Sequence, residues 1–443
     1  MTARKPLALI AALATTAATL VACGGGGAAD DEASVYFLNF KPEVDQVYQD
    51  IAAAYTEETG VPVKVVTAAS GTYEQTLKAE VGKSDAPTIF QVNGPTGLKT
   101  WSDYAGDMSG TDIAANLNPD VPALQNADGA TVGIPIAVEG YGIIYNQDIF
   151  NRYFALPGAV ATSMEEINSF DMLKQVADDM QAKKAELGID GAFASTSLAT
   201  GEDWRWQTHL ASMPIYQELE DAGETDAQEV EFTYNPEYKQ LFDLYVNDST
   251  VEPSLTPSKT VTDSMAEFAM GKAAMVQNGN WAWSQIADVA GNVVQAENVK
   301  FMPMYMGLPG ESEHGIAVGT ENYITVNSQA SEVDQQASKD FLDWLYTSDA
   351  GKQFVVNDLG FIAPFSNFTE DETPSDPLAQ QVTAAMQDDT VTTYPWTFQI
   401  FPSQQFKDDF GQSLAQYVSG NMNWDEVVTA FIDSWKAEKE ATA

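Results

Sequence analysis

Two periods of apolar spacing alternate along the first part of the chain. The run 34–40 (SVYFLNF) is rich in β-formers, and 43–60 carries apolar residues at helical spacing up to a stop at Gly60. The pattern then repeats: 61–68 predicts a strand, 72–84 a helix and 87–93 a buried strand. A β-α-β-α-β order predicts a mostly parallel sheet with helices on both faces, and ligands in such sheets bind beyond the carboxyl ends of the strands. Gln91 and Asn93 stand at one such end, offering amides next to a glycine turn at Gly94. Further on, 127–150 predicts a strand, a bend and a second strand, with a tight turn at Asp128-Gly129. A long helix is expected over 169–189, a strand over 191–196, and two helices over 332–358. The last third reads as helical apart from loops at 361–368 and 392–405, and no internal repeat is visible.

Composition changes the picture in three ways. At 443 residues the chain exceeds what one core usually holds, so two lobes are expected. Its 64 acidic and 21 basic side chains give a formal charge of −43. Such a surface repels nucleic acid and anionic headgroups, disfavours an anionic substrate, and suits a soluble body outside the cell. A single cysteine rules out an intramolecular disulfide. With only His209 and His314 beside it, a zinc site of the Cys/His kind is not expected, nor is any other metal or cofactor.

That cysteine belongs to an address. Arg4 and Lys5 precede an apolar or small run from Leu7 to Ala22, the form of a secretory signal rather than of a permanent membrane span. Leu20-Val21-Ala22-Cys23 resembles the bacterial lipobox, which implies cleavage after residue 22 and a lipid on Cys23. Residues 23–33 are then the lipidated cysteine and a flexible, glycine-rich acidic tether. The mature chain is expected on the extracellular face of the cell membrane, touching it only through that lipid.

Two long strings carry a family resemblance. "GIPIAVEGYGIIYNQDIF" (133–150) resembles the segment with which maltose-type solute-binding proteins of ABC importers cross between lobes. "MAEFAMGKAAMVQNGNWAWSQI" (265–286) resembles their other signature, and "APTIFQVN" (86–93) and "DFLDWLYTSDAGKQF" (340–354) match in order. The resemblance implies an α/β fold: a two-lobed clamp of the class II type, each lobe a mixed or mostly parallel sheet flanked by helices. It implies lobe 1 over 34–137 and 315–362, and lobe 2 over 138–306 and 366–443. Crossings are then expected near 135–140, 305–315 and 360–365, where glycine and proline crowd.

Uncharged sugars present apolar faces edged by hydroxyls, so their sites combine aromatic plates with amides and carboxylates. By resemblance Trp281 packs on the sugar with Asn280 beside it, while Trp283 reads as an anchor for the next helix. Glu139 matches an acidic ligand contact, and reads also as a carboxylate holding the crossing in place. Gln91 and Asn93 occupy first-lobe contact positions. The family often carries a tryptophan and an acid there, so Gln91 and Gly94 argue against maltodextrin itself. The cluster 201–210 holds Asp203, Trp204, Arg205 and Trp206, with Glu202 and His209. On an extended segment Trp204 and Trp206 share one face. Trp396, beside Tyr394, is a further candidate plate, and Lys41 and Tyr141 complete the set, with Tyr73 a neighbour.

The reading is a solute-binding protein that captures a carbohydrate, an oligosaccharide in particular, and delivers it as a monomer to the permease subunits of an ABC importer. A peptide or polyamine binder in the same clamp is the alternative. A secreted glycosidase ranks below it, since paired carboxylates are uninformative in so acidic a chain and no GxSxG, P-loop or HExxH occurs.

Overall fold

Two sheets, each built from segments distant in sequence, divide the body of the chain. The computed structural model describes residues 32–369 and 371–442; the signal and Cys23 lie outside them. Strands β1 (Val35–Asn39), β2 (Val63–Thr67) and β3 (Ile89–Asn93) come from the predicted β-α-β-α-β run. With β4 (Leu124–Gln125) and β5 (Thr131–Pro135) they supply five of the six strands of the first sheet. The second sheet takes β6 (Glu139–Asn146), β7 (Gly191–Phe193), β8 (Ala273–Gly279), β9 (Val299–Met302) and β10 (His314–Gly319). After β10 the chain returns to the first sheet as β11 (Asn322–Val326), and β12 (Thr392–Tyr394) closes the second.

The first sheet runs β2-β1-β3-β11-β5-β4 and is mixed rather than mostly parallel. β1 pairs in parallel with β2 and β3, but β11 lies antiparallel between β3 and β5. The reason is its route: β11 arrives from the other lobe instead of by a helical crossover, so nothing forces it parallel. Its register sets Asn322 opposite Asn93 and Ile324 opposite Gln91, which brings two asparagines to the same end of the sheet. The second sheet runs β12-β10-β6-β8-β7 with β9 beside β6, and is also mixed.

Two expected boundaries move. Residues 315–319 belong to the second lobe, because β10 pairs antiparallel with β6 through Ala317–Tyr141 and Gly319–Glu139. The return crossing is therefore Thr320-Glu321, not 305–315. Residues 361–368 stay with the first lobe: Phe361 and Phe365 are buried in its core, and Leu117 bridges Phe365. Leu378 already packs in the second lobe, so the last crossing falls between Phe368 and Asp376 rather than at 360–365. Between Pro135 and Glu139 the chain passes from β5 to β6. The predicted loop over 392–405 contains the three-residue strand β12, too short to show an alternating pattern.

A small apolar cluster of Val138, Ile316, Ile362, Ala379 and Val382 fills the region where the crossings meet. A Cβ on Gly140 would sit 2.6 Å from Val382 Cγ2, so only glycine fits that start of β6. Elsewhere the second lobe is unusually aromatic: Phe401, Phe406, Phe431 and Trp435 pack edge to face at its C-terminal helices.

Stability should fall as pH rises through the neutral range. Burial pushes the carboxyls of Asp203 and Asp376 up to about 6, and that of Asp248 up to about 7. An acid with a raised folded pKa favours folding while protonated, and that contribution is lost as pH climbs through the raised value. Repulsion within a chain of charge −43 acts in the same sense. Thermal denaturation should give a higher midpoint near pH 6.5 than near pH 8, a window above the range where the buried, neutral His209 acts in the opposite sense; the reverse order would place these three carboxyls in solvent.

A candidate ligand site between the two sheets

The carboxyl ends of β1 and β3, the return crossing and three loops of the second lobe converge on one cavity of about 230 Å³. On the first-lobe side the chain leaves β1 through a fixed turn. Asn39, fully buried, donates from Nδ2 to the Lys41 carbonyl at 2.8 Å and accepts from the Lys41 N–H at 3.0 Å. Gln91 holds the same turn, its Oε1 accepting from the Phe40 N–H at 2.7 Å. Gln91 therefore supports the site from inside the sheet and does not line it, whereas Asn93, two residues further along β3, does. Phe40 and Tyr73 meet edge to face at 5.0 Å on this wall.

Lys41 enters the cavity from that turn. Its Nζ lies 2.7 Å from Glu139 Oε1 and 3.7 Å from Glu43 Oε1, with all three side chains nearly buried. Burial lowers the affinity of the Lys41 amine for its proton, but Glu139, Glu43 and Glu321 together outweigh this and raise it. Both readings of Glu139 meet in the structure: it faces the cavity and ties the first crossing to β1.

The second lobe supplies the plates. Asn280 clips β8 to the start of β6, its backbone N–H donating to Gly140 O and its Oδ1 accepting from Gly140 N–H, each at 2.9 Å. Asn280 is thus a brace and does not line the cavity. Trp281 follows, its ring laid across Gly279, where a Cβ would fall 2.2 Å from the indole. Trp283 packs against the cluster around Ile286 and Val261. Trp396 lies in the same way on Gly319, where a Cβ would fall 2.6 Å from its Cγ.

His209 joins these plates. It stacks on Tyr141 with centroids 4.1 Å apart, meets Trp204 edge-on at 4.9 Å, and is 5.6 Å from Trp281 and 5.9 Å from Trp396. Burial, aided by Arg205 and Lys407, holds its imidazole well below the ordinary range, so it is neutral at pH 7. Tyr141 backs the wall without lining it, its hydroxyl donating to the His209 carbonyl at 3.3 Å.

The cluster 203–206 divides. Residues Arg205–Leu210 form a π-helical turn, not an extended segment, so Trp204 and Trp206 do not share a face. Trp204 lines the cavity; Trp206 is buried in the second-lobe core and donates from Nε1 to Ser197 O at 3.2 Å. The Arg205 guanidinium stacks on Trp204 at 3.8 Å, outside the lining, and burial lowers it to about 9. Asp203 is buried against Gly411, where a Cβ would fall 1.8 Å from its Oδ2.

Of the candidates, Lys41, Asn93, Glu139, Trp204, Trp281 and Trp396 share the cavity, and Gln91, Asn280, Tyr141, Asp203, Arg205 and Trp206 stand behind it. Glu43, Glu74, Gln207, Gln285, Glu321, Lys407 and Asp408 also line it, and no motif in the sequence marks them. Glu321 joins them because the return crossing falls at Thr320-Glu321, which the pairing of β10 with β6 sets and the sequence pattern does not. Several lining atoms have no protein partner: Asn93 Oδ1, Asn322 Oδ1, Gln207 Oε1, Gln285 Oε1, and the indole nitrogens of Trp281 and Trp396. Leaving a buried polar group unpaired costs about 1–3 kcal/mol, so this wall is built to be completed by something else. Among the described residues no cluster of three or more His, Cys, Asp or Glu could hold a metal.

The cleft mouth is closed by a glycine contact. A Cβ on Gly71, in the loop after β2, would sit 2.3 Å from Gly201 O in the loop after β7. Deeper in, Thr96 Oγ1 lies 3.0 Å from the carbonyls of both Gln399 and Phe401.

Comparison with known proteins agrees with this architecture. The curated melibiose/raffinose/stachyose-binding protein MelE of Bacillus subtilis (strain 168) is 22% identical over 312 residues, 70% of this chain and 68% of that one. A chitin oligosaccharide binding protein superposes with a TM-score of 0.72 at 18% identity, covering 93% of this chain and 99% of that one. The GacH receptor of Streptomyces glaucescens, solved unliganded and with acarbose, gives 0.68 at 18% identity over 92% and 99%. The family model for bacterial extracellular solute-binding proteins matches residues 50–385, and the chain therefore belongs to that family.

Proposed function

We propose that this protein captures an oligosaccharide between its two lobes and delivers it to the permease subunits of an ABC importer. The observation that carries the reading is one cavity in which Trp204, Trp281 and Trp396 stand beside unpaired amide and indole groups. Flat apolar faces ringed with hydroxyls match that combination, whereas a purely apolar ligand would leave the polar atoms unpaired. Relatives named for melibiose, raffinose, stachyose and chitin oligosaccharides support the same class. Binding across both lobes favours the closed form by its differential affinity for that form. No covalent step is required, and no catalysis is proposed. The chain would work as a monomer outside the cell, anchored only by a lipid on Cys23.

A thermal-shift screen of residues 24–443 against oligosaccharides, peptides and polyamines tests this. A ligand at about a hundred times its dissociation constant stabilises by about 2.7 kcal/mol. A shift with one glycan series, the glycan intact by chromatography, is expected. A shift from peptides or polyamines alone, or consumption of the sugar, would overturn the assignment.

Closure makes a second prediction. Gly71 has φ of +70° and no room for a Cβ against Gly201. Gly71→Ala should leave the fold intact, because both loops lie at the cleft mouth, and weaken ligand binding about tenfold by disfavouring the closed form. Unchanged affinity by calorimetry would show that the mouth contact plays no part in holding the ligand.

A further inference from the structure

The charge facing the cavity is unbalanced. Glu43, Glu74, Glu139, Glu321 and Asp408 line it, against the two ammonium groups of Lys41 and Lys407. His209 adds nothing, being held neutral, and with the exposed Asp408 set aside the carboxylates still outnumber the cations four to three even when Arg205 beside Trp204 is counted. Taking carboxylates out of water is costly unless cations or donors meet them. Lys41 is already engaged by Glu139 and Glu43. Glu74 accepts from Trp101 Nε1 at 3.0 Å. Among the described residues Glu321 has no side-chain hydrogen bond or close ion pair.

The uncharged groups lean the same way. Gln207 and Asn322, at 3% and 4% exposure, each present an amide oxygen without a donor. Beside them the indole nitrogens of Trp281 and Trp396 are donors without an acceptor, so the wall asks for positive charge at its carboxylates and for hydroxyl oxygens at its indoles. A sugar hydroxyl supplies one donor and no charge, while an ammonium supplies three donors, a full charge and no acceptor. Burial pushes up the carboxyls of Glu43, Glu74 and Glu321 alike, but Glu43 has Lys41 and Glu74 has the Trp101 indole, which leaves Glu321 as the one of the three with neither a close cation nor a donor.

We infer that the captured oligosaccharide carries at least one protonated amine in place of a hydroxyl, which makes it an amino sugar seated against Glu321. This rests on the oligosaccharide reading above and names the ligand class more narrowly. The aromatic plates separate it from a simple polyamine, which has no flat apolar face to lay on Trp281 or Trp396.

The experiment is calorimetric titration of residues 24–443 at about pH 6, where a sugar amine carries its proton. The probes are glucosamine, N-acetylglucosamine and glucose oligomers of one length in β-1,4 linkage, the maltose series, glucosamine itself and spermidine. The amine oligomer should bind about tenfold or more tightly than its hydroxyl and N-acetyl counterparts, as a charge-assisted hydrogen bond provides. That preference should weaken in high salt and shrink in Glu321→Gln, with the melting transition of the variant as the check on folding. Equal or tighter binding of a neutral counterpart overturns the amine inference and leaves the oligosaccharide reading standing. Binding of spermidine with silence from every glycan overturns both, and silence from every amine-bearing probe overturns the inference.

Discussion

Lys41→Met should lower the free energy of unfolding by about 3–5 kcal/mol, the usual loss when one partner of a buried charge pair is removed. Lys41 is 5% exposed, and its ammonium lies between Glu139 and Glu43 and near the rings of Trp281 and Phe361. Methionine keeps the apolar stem and removes only the charge, so the cost is that of two carboxylates stranded in a closed site. Urea denaturation at pH 7 measures it. The deficit should narrow toward pH 5, because Glu43, already raised by burial and no longer held down by Lys41, can take a proton. Lys41→Met combined with Glu139→Gln should recover much of the loss, since removing both members of a buried pair is often close to neutral. A single-variant loss under about 1 kcal/mol would mean the pair is solvated and the crossing is held by packing alone.

Trp281→Ala is the second large effect. It should weaken ligand binding by about 1–3 kcal/mol, or about five- to 150-fold, with the far-ultraviolet dichroism unchanged. The fold should survive because Trp281 is only partly buried and opens the helix Ala282–Ala287, whose core contacts come from Ala282 and Ile286. Gly279→Val offers an independent check: its side chain would occupy the space of the Trp281 ring and should cause a similar loss without touching the tryptophan. If Trp281→Ala binds as tightly as the native chain, the ring is part of the wall and not of the recognition surface.

The two tryptophans of "NWAW" show how far the sequence reaches. The family resemblance separates a plate from an anchor, and the structure puts Trp281 at the cavity and Trp283 half-buried against the core around Ile286. Spacing fails at "WRW", where alternation implies a shared face and a π-helical turn sends Trp206 into the interior. A local pattern cannot reveal that turn, because it depends on Trp206 and Tyr238 finding partners across the lobe. Gln91 and Asn93 look equivalent along the strand, yet Gln91 serves the turn of Phe40. The lobe boundaries slipped for a related reason: β10 is placed by pairing with β6, which no spacing within 305–319 encodes. Lys407 was invisible because a lysine near the start of a helix ordinarily faces water; only the return crossing at Glu321 makes it part of a site.

The central claim is that one ligand is held by both lobes at once. Hydrogen exchange with mass spectrometry, run with and without the glycan found by the thermal screen, tests it most directly. Saturating glycan should slow exchange together in 69–74, at the first-lobe mouth, and in 201–209, 279–285 and 394–399 of the second lobe. Protection confined to one lobe, or to a surface away from these segments, would contradict a ligand enclosed between them.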